Sequence, residues 1–426
     1  MKMIADLHLH SHYSAATSPD MTIPKIAYYA KIKGLKIIGT GDAFNPSWLR
    51  ELKLTLEESS YPGLYSPLTP VEDVFFIMQS EVGTIFEFEG KVRRVHHVIL
   101  MPNIEVAEQI SDILSFYGNV SSDGRPVFNM HPSELVEIVL EVDENCLIYP
   151  AHAWTPWWSI FGSFSGVDRM EDCYGDQVKK IYALETGLSS DPEMNWRVSA
   201  LDKYALVSAS DAHSPWPFRL GREACVFNFK KPSYYELIDA IKHKDASRFL
   251  MTIEVDPAYG KYHWSGHRKC GFGPIPPSEA VKLNYICPIC GRKLTKGVDD
   301  RVEELADRPK GFRPEKAIPY IKLLPLQELI ATVLGISPFN VRRLYTGKVW
   351  EEYLKLIHKL GPEYRVVLDA PLDEIAKVTS SGIAKAIAKL RSNSLKIIPG
   401  YDGVYGKIIF FEEEENQLDL KKFISY

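Results

Sequence analysis

Ile4-Ala5-Asp6-Leu7-His8-Leu9-His10 opens the chain, and Ser208-Ala209-Ser210-Asp211-Ala212-His213 repeats its pattern much later. Because alternate residues of a strand point to the same side, the two histidines of the first stretch can hold one ion together. The Asp and His that end the second stretch can do the same. A His-x-His pair alone is a weak signal, but two such pairs at the ends of two strands predict a metal site.

Four further apolar runs lie between these two stretches, and each carries a possible metal ligand. The runs and ligands are 37–41 before Asp42, 74–80 before Glu81, 94–100 around His97, and 147–151 before His152. Strands that are buried on both faces read as continuous apolar runs, and parallel barrels carry their chemistry at the C-terminal ends of the strands. The sequence therefore predicts an α/β barrel with its site at one end.

These motifs resemble the PHP family of metal-dependent phosphoesterases over residues 1–250. The resemblance implies a distorted (β/α)7 barrel. It also implies catalytic roles for Glu81, Asp211 and His213 and a metal-ligand set consisting of His8, His10, Asp42, Glu81, His97, His152, Asp211 and His213. The second family motif usually reads Thr-Asp-His, whereas this chain has Thr40-Gly41-Asp42. This departure makes two ions a safer prediction than three.

The ligand types indicate the chemistry. Mixed imidazole and carboxylate ligands suit zinc, manganese or iron better than magnesium or calcium, and we expect two or three divalent ions (Zn, Mn or Mg). Glu81 is the natural bridge because a carboxylate has two ligating oxygens. Two ions roughly 3.5 to 4 Å apart activate a shared water for phosphoester hydrolysis. Arg or Lys side chains near Arg219 and Arg222 would stabilise the charge that develops on the phosphate. The alternative interpretation of the whole metal site is a degenerate site that binds one structural zinc.

Length and composition limit the class of protein. The chain has 426 residues, of which 45% are hydrophobic, so we expect two or three domains with a large core. No run approaches the roughly 18 apolar residues of a membrane span, and we expect a soluble, cytoplasmic protein that contacts no membrane. The net charge is −5, so binding to nucleic acid would depend on local basic patches.

Three cysteines and a histidine predict a second metal site, within residues 259–312. Cys287-Pro288-Ile289-Cys290-Gly291 reads as a thiolate knuckle, with Gly291 permitting the turn. His267 and Cys270 supply the second pair of ligands, as in a zinc ribbon. Four protein ligands leave no open position, so this zinc should be structural. His263 could replace His267, and a redox Cys-x-x-Cys is the alternative interpretation.

Residues 313–411 have the pattern of a basic helical domain. Helical spacing covers 324–334 and 349–360, and Ser380 and Ser381 precede a third helix that carries Lys385. Residues 309–399 hold 15 Lys or Arg against eight Asp or Glu, a net charge of +7. This favours a nucleic-acid backbone as partner. The alternative is that the serines only cap a helix with a solvated charged face.

The order of catalytic barrel, ribbon and basic helices resembles the archaeal endonuclease Q family. The stretches that carry this resemblance are 150–158, 266–270 and 301–308. It implies a DNA repair endonuclease that cuts on the 5′ side of deaminated bases (uracil, hypoxanthine, xanthine) or abasic sites, in double- or single-stranded DNA. A base taken out of the duplex needs aromatic walls, for which the candidates are Trp154, Trp157, Trp158 and Phe161. Core packing could equally use these side chains.

The C-terminal stretch 412–426 begins with an acidic run and ends in a pattern typical of peptides that bind the sliding clamp PCNA. The residues of the pattern are Gln417, Leu420, Phe423 and Ile424, and Ile424 stands where the peptide usually has an aromatic residue. This tail could instead fold back on its own domain.

Two other functions stay open from the sequence. A small-molecule phosphatase of the histidinol-phosphatase type would use the same metal site, but it would not need a ribbon, a basic helical domain or a clamp peptide. A non-catalytic DNA-binding scaffold would have lost part of the metal site, and the Asp42 departure keeps this alternative in view.

Overall fold

The first strand, Lys2–Asp6, lies inside a sheet of 11 strands in the computed structural model, which describes residues 1–409. It pairs antiparallel with Ala224–Asn228 and parallel with Ile37–Gly39. The predicted clamp-binding residues Gln417, Leu420, Phe423 and Ile424 lie outside the described residues.

The four apolar runs that lie between the two opening motifs become strands, whereas 208–213 follows strand Ala205–Val207 and forms only an isolated bridge at Ala212. The large sheet consists of Lys2–Asp6, Ile37–Gly39, Leu56–Glu58, Tyr65–Pro67, Phe75–Phe88, Lys91–Met101, Val127–Phe128, Leu147–Pro150, Ala224–Asn228, Phe249–Glu254 and Tyr320–Lys322. Two-stranded sheets are formed by Ala183–Glu185 with Ala205–Val207, Ser265–His267 with Phe272–Ile275, and Lys396–Ile398 with Lys407–Ile409.

The α-helices alternate with strands in the first half and cluster after residue 325. They are Ile23–Lys33, Pro46–Thr55, Ile104–Leu114, Pro132–Val142, Met170–Tyr174, Pro192–Trp196, Tyr234–Lys242, Pro277–Lys282, Val298–Leu305, Leu326–Val333, Val341–Leu344, Gly347–Leu360, Leu372–Val378 and Ser381–Arg391. The short 3₁₀ and π segments are Gly175–Lys180, Ser199–Leu201, Pro257–Tyr259, Arg268–Cys270 and Arg365–Asp369.

Seven strands form a closed ring, which confirms the predicted distorted barrel. Lys2–Asp6 pairs with Ile37–Gly39, and the pairing continues through Phe75–Phe88, Lys91–Met101 and Leu147–Pro150. Ala183–Glu185 lies beside Leu147–Pro150 and pairs with Ala205–Val207. The parallel bridge between Leu9 and Ala212 then returns to the first strand. The ring is distorted because Lys91–Met101 runs antiparallel to both of its neighbours.

The interior of the ring is apolar below the site. Ile37, Ile77, Val98 and Leu100 belong to one buried cluster. Ile77 and Val98 share an inward face with Glu81, because Glu81 stands directly opposite Val98 in the antiparallel pair and alternate residues share a face. The polar site therefore lies on the same face as this apolar core, further along the strands.

A capped helix fixes the loop that carries Asp42. The side chain of Asn45 accepts hydrogen bonds from the amides of Ser47 and Trp48, which satisfies two unpaired donors at the helix start. Trp48 is buried, and its Nε1 donates to the carbonyl of Gly41 at 2.8 Å. The helix thus holds the loop between it and the preceding strand.

The helical segment after residue 325 is attached to the barrel by buried polar contacts. Lys33 Nζ lies 2.7 Å from Glu363 Oε1 and donates to the carbonyl of Pro217, and both charged side chains are 2% exposed. Arg219 pairs with Glu328 at 2.7 Å. Strand Tyr320–Lys322 joins the barrel sheet beside Phe249–Glu254. The boundaries at 258, 312 and 411 stay a prediction.

Within residues 1–409, no helix is both long and apolar enough to cross a membrane.

Candidate metal centre

Glu81 lies at the centre of the candidate site and is fully buried. Its Oε1 lies 2.9 Å from His96 Nδ1 and 3.2 Å from His152 Nε2. Its Oε2 lies 3.2 Å from His10 Nε2 and 3.7 Å from His8 Nε2. One carboxylate therefore faces two groups of imidazoles, one with each oxygen.

The first group consists of His8, His10 and Asp211, whose potential ligand atoms lie within 4.8 Å of one another. Asp211 Oδ1 lies 3.1 Å from His10 Nε2 and 3.8 Å from His8 Nε2. The second group consists of Glu81, His96 and His152, within the same limit. We call these six residues together the barrel cluster.

His96 occupies the place that the sequence predicts for His97, and that prediction is wrong. Glu81 stands opposite Val98, so His96, two residues away, lies on the same face of the sheet. His97 points to the other face, where Nε2 lies 2.9 Å from the hydroxyl of Thr84 and Nδ1 lies 2.8 Å from that of Tyr174. Strand register, which the sequence does not reveal, decides between the two neighbours.

Asp42 faces His10 from the side opposite to the cluster, so its predicted role as a ligand is corrected to a positioning role. Its Oδ1 lies 3.0 Å from His10 Nδ1. Its Oδ2 accepts hydrogen bonds from the amide and hydroxyl of Ser11, both at 2.6 Å, and from Ser14 Oγ at 2.9 Å. With both oxygens occupied, Asp42 fixes the ring so that Nε2 faces Glu81 and Asp211.

Glu185 orients the ring of His8 in the same way, and it was not among the residues predicted from the sequence. His8 Nδ1 lies 3.1 Å from both of its carboxylate oxygens, and the amide of His152 donates to Oε2 at 2.7 Å. His152 Nδ1 in turn lies 2.9 Å from Ser159 Oγ. The signal in the sequence was the apolar run 181–184 before Glu185, which matches the other ligand-bearing strands.

The backbone is strained at three residues of the site. Asp42, His152 and Asp211 have φ values of 49°, 29° and 48°, in the left-handed region that side chains other than glycine rarely adopt. Gly187 passes so close to His152 that an added Cβ would lie 2.7 Å from its Cβ. Such strain persists where surrounding contacts enforce it, and it concentrates at functional sites.

The donor atoms of the barrel cluster fit divalent cations. His8 Nε2 is buried and has no hydrogen-bond partner, although it faces the carboxylates of Glu81 and Asp211. Burial disfavours a charged His8, yet Glu185 and Glu81 raise its pKa well above the ordinary value. The same negative field attracts a metal ion, which would supply the partner that Nε2 lacks.

The remaining pKa shifts describe the same field. Burial opposes the charge on Glu81, but His96 and Arg125 hold its pKa well below the ordinary value. Burial lowers the pKa of His96 to about 4. Its imidazole is therefore neutral near pH 7, the form that ligates metal.

His213 lies at the open edge of the barrel cluster. Its Nδ1 is 3.0 Å from the carbonyl oxygen of Asp211 and 3.7 Å from Asp211 Oδ1, and its side chain is 32% exposed. The ring centroid lies 4.5 Å from that of His10. His213 therefore lies beside the ligands, but it is not a member of either ligand group.

The aromatic segment after His152 divides into a buried and an exposed half. Trp154 and Phe161 are each 1% exposed, and Trp154 Nε1 donates to Asn195, so both side chains belong to the core and their predicted contact with substrate is corrected. Trp158 is half-buried and stacks on His96 with 4.8 Å between ring centroids. Trp157 is exposed.

The ribbon cluster consists of His267, Cys270, Cys287 and Cys290, whose ligand atoms lie within 4.8 Å of one another. Cys290 Sγ is 3.3 Å from His267 Nδ1. Gly291 has a φ of 71° and donates its amide to the carbonyl of Cys287, which closes the knuckle. His263 is half-buried and is not part of this group, so the geometry selects His267.

The serines before the last helix take the capping geometry. Ser380 is the N-cap of Ser381–Arg391, and its Oγ accepts from the amide of Ile383. Ser380, Ser381 and Lys385 are all exposed. Their predicted contact with DNA stays a prediction.

Comparison with known proteins places this geometry in a family. The lesion-specific endonuclease PfuEndoQ from Pyrococcus furiosus is 38% identical, with a TM-score of 0.85 over 97% of this chain and 96% of that chain. Endonuclease Q in complex with a 27-mer duplex substrate, with an abasic lesion at the active site, is 38% identical, with a TM-score of 0.84 over 97% of this chain and 98% of that chain.

A family model, the MJ0043 C-terminal domain, matches residues 325–394. The uncharacterized protein MJ0043 of Methanocaldococcus jannaschii is 38% identical over 271 residues, which are 61% of this chain. The matched region is 31% of the length of that relative.

The ring of strands has the distorted barrel expected of the PHP phosphoesterases, and the barrel cluster brings together residues that could hold divalent ions. The chain belongs to the endonuclease Q family.

Proposed function

We propose that this protein is a metal-dependent DNA repair endonuclease that hydrolyses the phosphodiester on the 5′ side of a damaged nucleotide. The observation that carries the proposal is the shared carboxylate of Glu81, whose two oxygens face two separate groups of imidazole ligands. Similarity over nearly the whole chain to endonuclease Q, which was solved with an abasic lesion at its active site, supports DNA as the substrate.

Two divalent ions would be held by His8, His10 and Asp211 on one side and by His96 and His152 on the other, with Glu81 between them. When bound, they would lower the pKa of a shared water and stabilise charge on the attacking and leaving oxygens. Zinc or manganese suits these ligands. The number and kind of ions are part of the proposal.

The protein itself orients the imidazole rings of the site. Glu185 and Asp42 hold the Nδ1 atoms of His8 and His10, so each ring presents Nε2 to the shared carboxylate. The Nδ1 of His213 is close to the carbonyl of Asp211, which leaves Nε2 as the atom that can exchange a proton at the edge of the site. Positions fixed in advance lower the reorganisation needed in the transition state.

Recognition of the lesion would use Trp157 and Trp158. Trp158 stacks on His96, and the exposed Trp157 stacks on Phe164 with 4.8 Å between ring centroids. An extruded nucleotide loses its own stacking partners, and an aromatic face next to the metal centre would replace them. Uracil, hypoxanthine, xanthine and abasic sites are the proposed lesions.

Two further contacts belong to the proposal. The net charge of +7 between residues 309 and 399 would attract the DNA backbone, with Ser380, Ser381 and Lys385 as candidate phosphate contacts. The tail residues Gln417, Leu420, Phe423 and Ile424 would bind the sliding clamp PCNA, and a cytoplasmic location stays a prediction.

The test is a cleavage assay on an end-labelled duplex that carries one abasic site, deoxyuridine, deoxyinosine or deoxyxanthosine. We expect a divalent-metal-dependent nick on the 5′ side of the lesion, which is absent from undamaged duplex and from an Asp211→Ala, His213→Ala variant. Arg169→Gln, a change in a side chain that is 70% exposed, is the matched control. Release of phosphate from small esters without any nick would instead indicate a phosphatase.

A further inference from the structure

A guanidinium lies beside the shared carboxylate of the barrel cluster. Arg125 Nη1 is 3.2 Å from Glu81 Oε2, the oxygen that also faces His10 and His8. The side chain is 27% exposed, whereas that of Glu81 is 0% exposed. Arg125 therefore spans from solvent to the centre of the site.

The loop that carries Arg125 is held in place by its backbone. The carboxylate of Asp123 accepts hydrogen bonds from the amides of Arg125 and Ala15. The amide of Gly124 donates to the carbonyl of Tyr13 at 3.1 Å. The position of Arg125 thus depends on the same segment, residues 11–15, that anchors Asp42.

Gly124 is required for this close approach. A Cβ at this position would lie 2.2 Å from Asp42 Oδ2 and 2.4 Å from Ser14 Oγ. No side chain fits there without displacing the groups that hold His10. The loop is therefore built to bring the next residue, Arg125, against the site.

Most of the hydrogen-bonding capacity of Arg125 is unused. A guanidinium has five N–H donors, and Arg125 contacts Glu81 through Nη1. Among residues 1–409, its Nε and Nη2 atoms make no hydrogen bond. The two arginines expected from the sequence are both engaged: Arg222 donates to the carbonyl of Ser210, and Arg219 pairs with Glu328.

We propose that Arg125 binds the scissile phosphate of the DNA strand and stabilises the charge that develops on it during cleavage. A planar guanidinium matches phosphate oxygens with two parallel N–H donors, and an ion on Glu81 would weaken the competing contact. The inference rests on the proposed endonuclease function and assigns a residue to the recognition of its substrate.

Arg125→Gln, Arg125→Lys and Arg169→Gln test this role with the full-length chain. We expect Arg125→Gln to lower kcat on the abasic-site duplex by about 10²- to 10³-fold, the loss typical of removing one donor to a transition-state oxyanion. Arg125→Lys, which keeps the charge but not the fork, should lose less, and guanidinium ion should partly restore an Arg125→Ala variant. Arg169→Gln should behave as wild type.

Binding gives a readout that does not depend on turnover. A synthetic duplex nicked on the 5′ side of an abasic site is titrated over a range of salt concentrations. We expect the slope of log K against log salt to become shallower by about one for Arg125→Gln and to stay unchanged for Arg169→Gln. Metal content, measured by plasma mass spectrometry, should stay that of wild type.

The outcomes separate the two proposals. Wild-type kcat and salt slope in Arg125→Gln would overturn the phosphate role, and so would loss of metal together with activity. If wild type cuts no duplex, the endonuclease proposal fails. In that case, a salt slope shallower than that of wild type in Arg125→Gln would still support the phosphate contact, and a slope equal to that of wild type would overturn it.

Discussion

The barrel cluster and the ribbon cluster both gather imidazole with anionic ligands, but they do so in opposite ways. The ribbon takes four ligands from two short segments, His267–Cys270 and Cys287–Cys290, and Cys290 is exposed. The barrel takes six ligands from the ends and middles of five different segments, and all but Asp211 and His152 are fully or nearly fully buried.

The two clusters differ in how their ligands are held in place. In the ribbon, two short segments each supply a pair of ligands, and Gly291 makes the turn of the second segment. In the barrel, further carboxylates orient the rings: Glu185 holds His8 and Asp42 holds His10. Four protein ligands close a tetrahedral site, whereas a shared carboxylate between open groups suits catalysis.

The largest expected effect comes from breaking the shared carboxylate. Glu81→Gln leaves the shape unchanged but removes the charge between the two groups, so we expect cleavage to fall by at least about 10³-fold and the barrel ions to be lost. Cleavage rates and metal content per chain check this. Retention of both would mean that Glu81 does not join two ions.

Neighbouring histidines sharpen the comparison. His96→Ala should lower cleavage by about 10²-fold or more, because it removes a ligand. His97→Ala should keep most of the activity but lower the free energy of unfolding by about 1–3 kcal/mol, since the hydroxyls of Thr84 and Tyr174 lose a buried partner. Rates and thermal unfolding measure the two effects. The reverse pattern would show that the strand register is wrong.

The orienting carboxylate is the next target. Asp42→Asn keeps the size but weakens the contact with His10 Nδ1, and we expect a loss of about 10- to 100-fold in metal affinity or activity, as is typical for such partners. Metal titration of the stripped protein measures it. Complete loss of one ion at saturating metal would instead identify Asp42 as a ligand.

Cys290→Ser should separate the two centres. We expect one zinc per chain to disappear and the unfolding temperature to fall, while the barrel ions and most cleavage remain. The reason is that the two centres share no ligand and the four ribbon ligands leave no open position. Metal content and unfolding curves are compared with wild type. Loss of all ions together would contradict two independent centres.

The smallest expected effect is a pH dependence of stability that originates at Glu254, whose carboxylate accepts hydrogen bonds from the hydroxyls of Thr186 and Ser208. Burial raises the pKa of Glu254 from 4.5 to about 8. A raised pKa stabilises the fold at low pH, and this contribution is lost as pH rises from about 4.5 through 8. The unfolding temperature should therefore fall more between pH 6 and 9 in wild type than in Glu254→Gln. Parallel curves would refute this.

The sequence predicted what depends on local spacing. The ribbon ligands, the helix near 349–360 (observed at Gly347–Leu360) and the alternating His8 and His10 all follow from patterns along the chain. His96 and Arg125 could not be assigned in this way, and for Glu185 the apolar run 181–184 was the one signal. Their positions depend on the register between two strands, on the closure of the ring and on one loop that packs against Ser14 and Asp42.

Anomalous X-ray scattering from crystals of the metal-loaded protein tests the central claim most directly. We expect two peaks that flank the carboxylate of Glu81, one near His8 and His10 and one near His96 and His152, and a third peak within the ribbon cluster. A single peak in the barrel, or a peak beside His97 or Asp42, would contradict it.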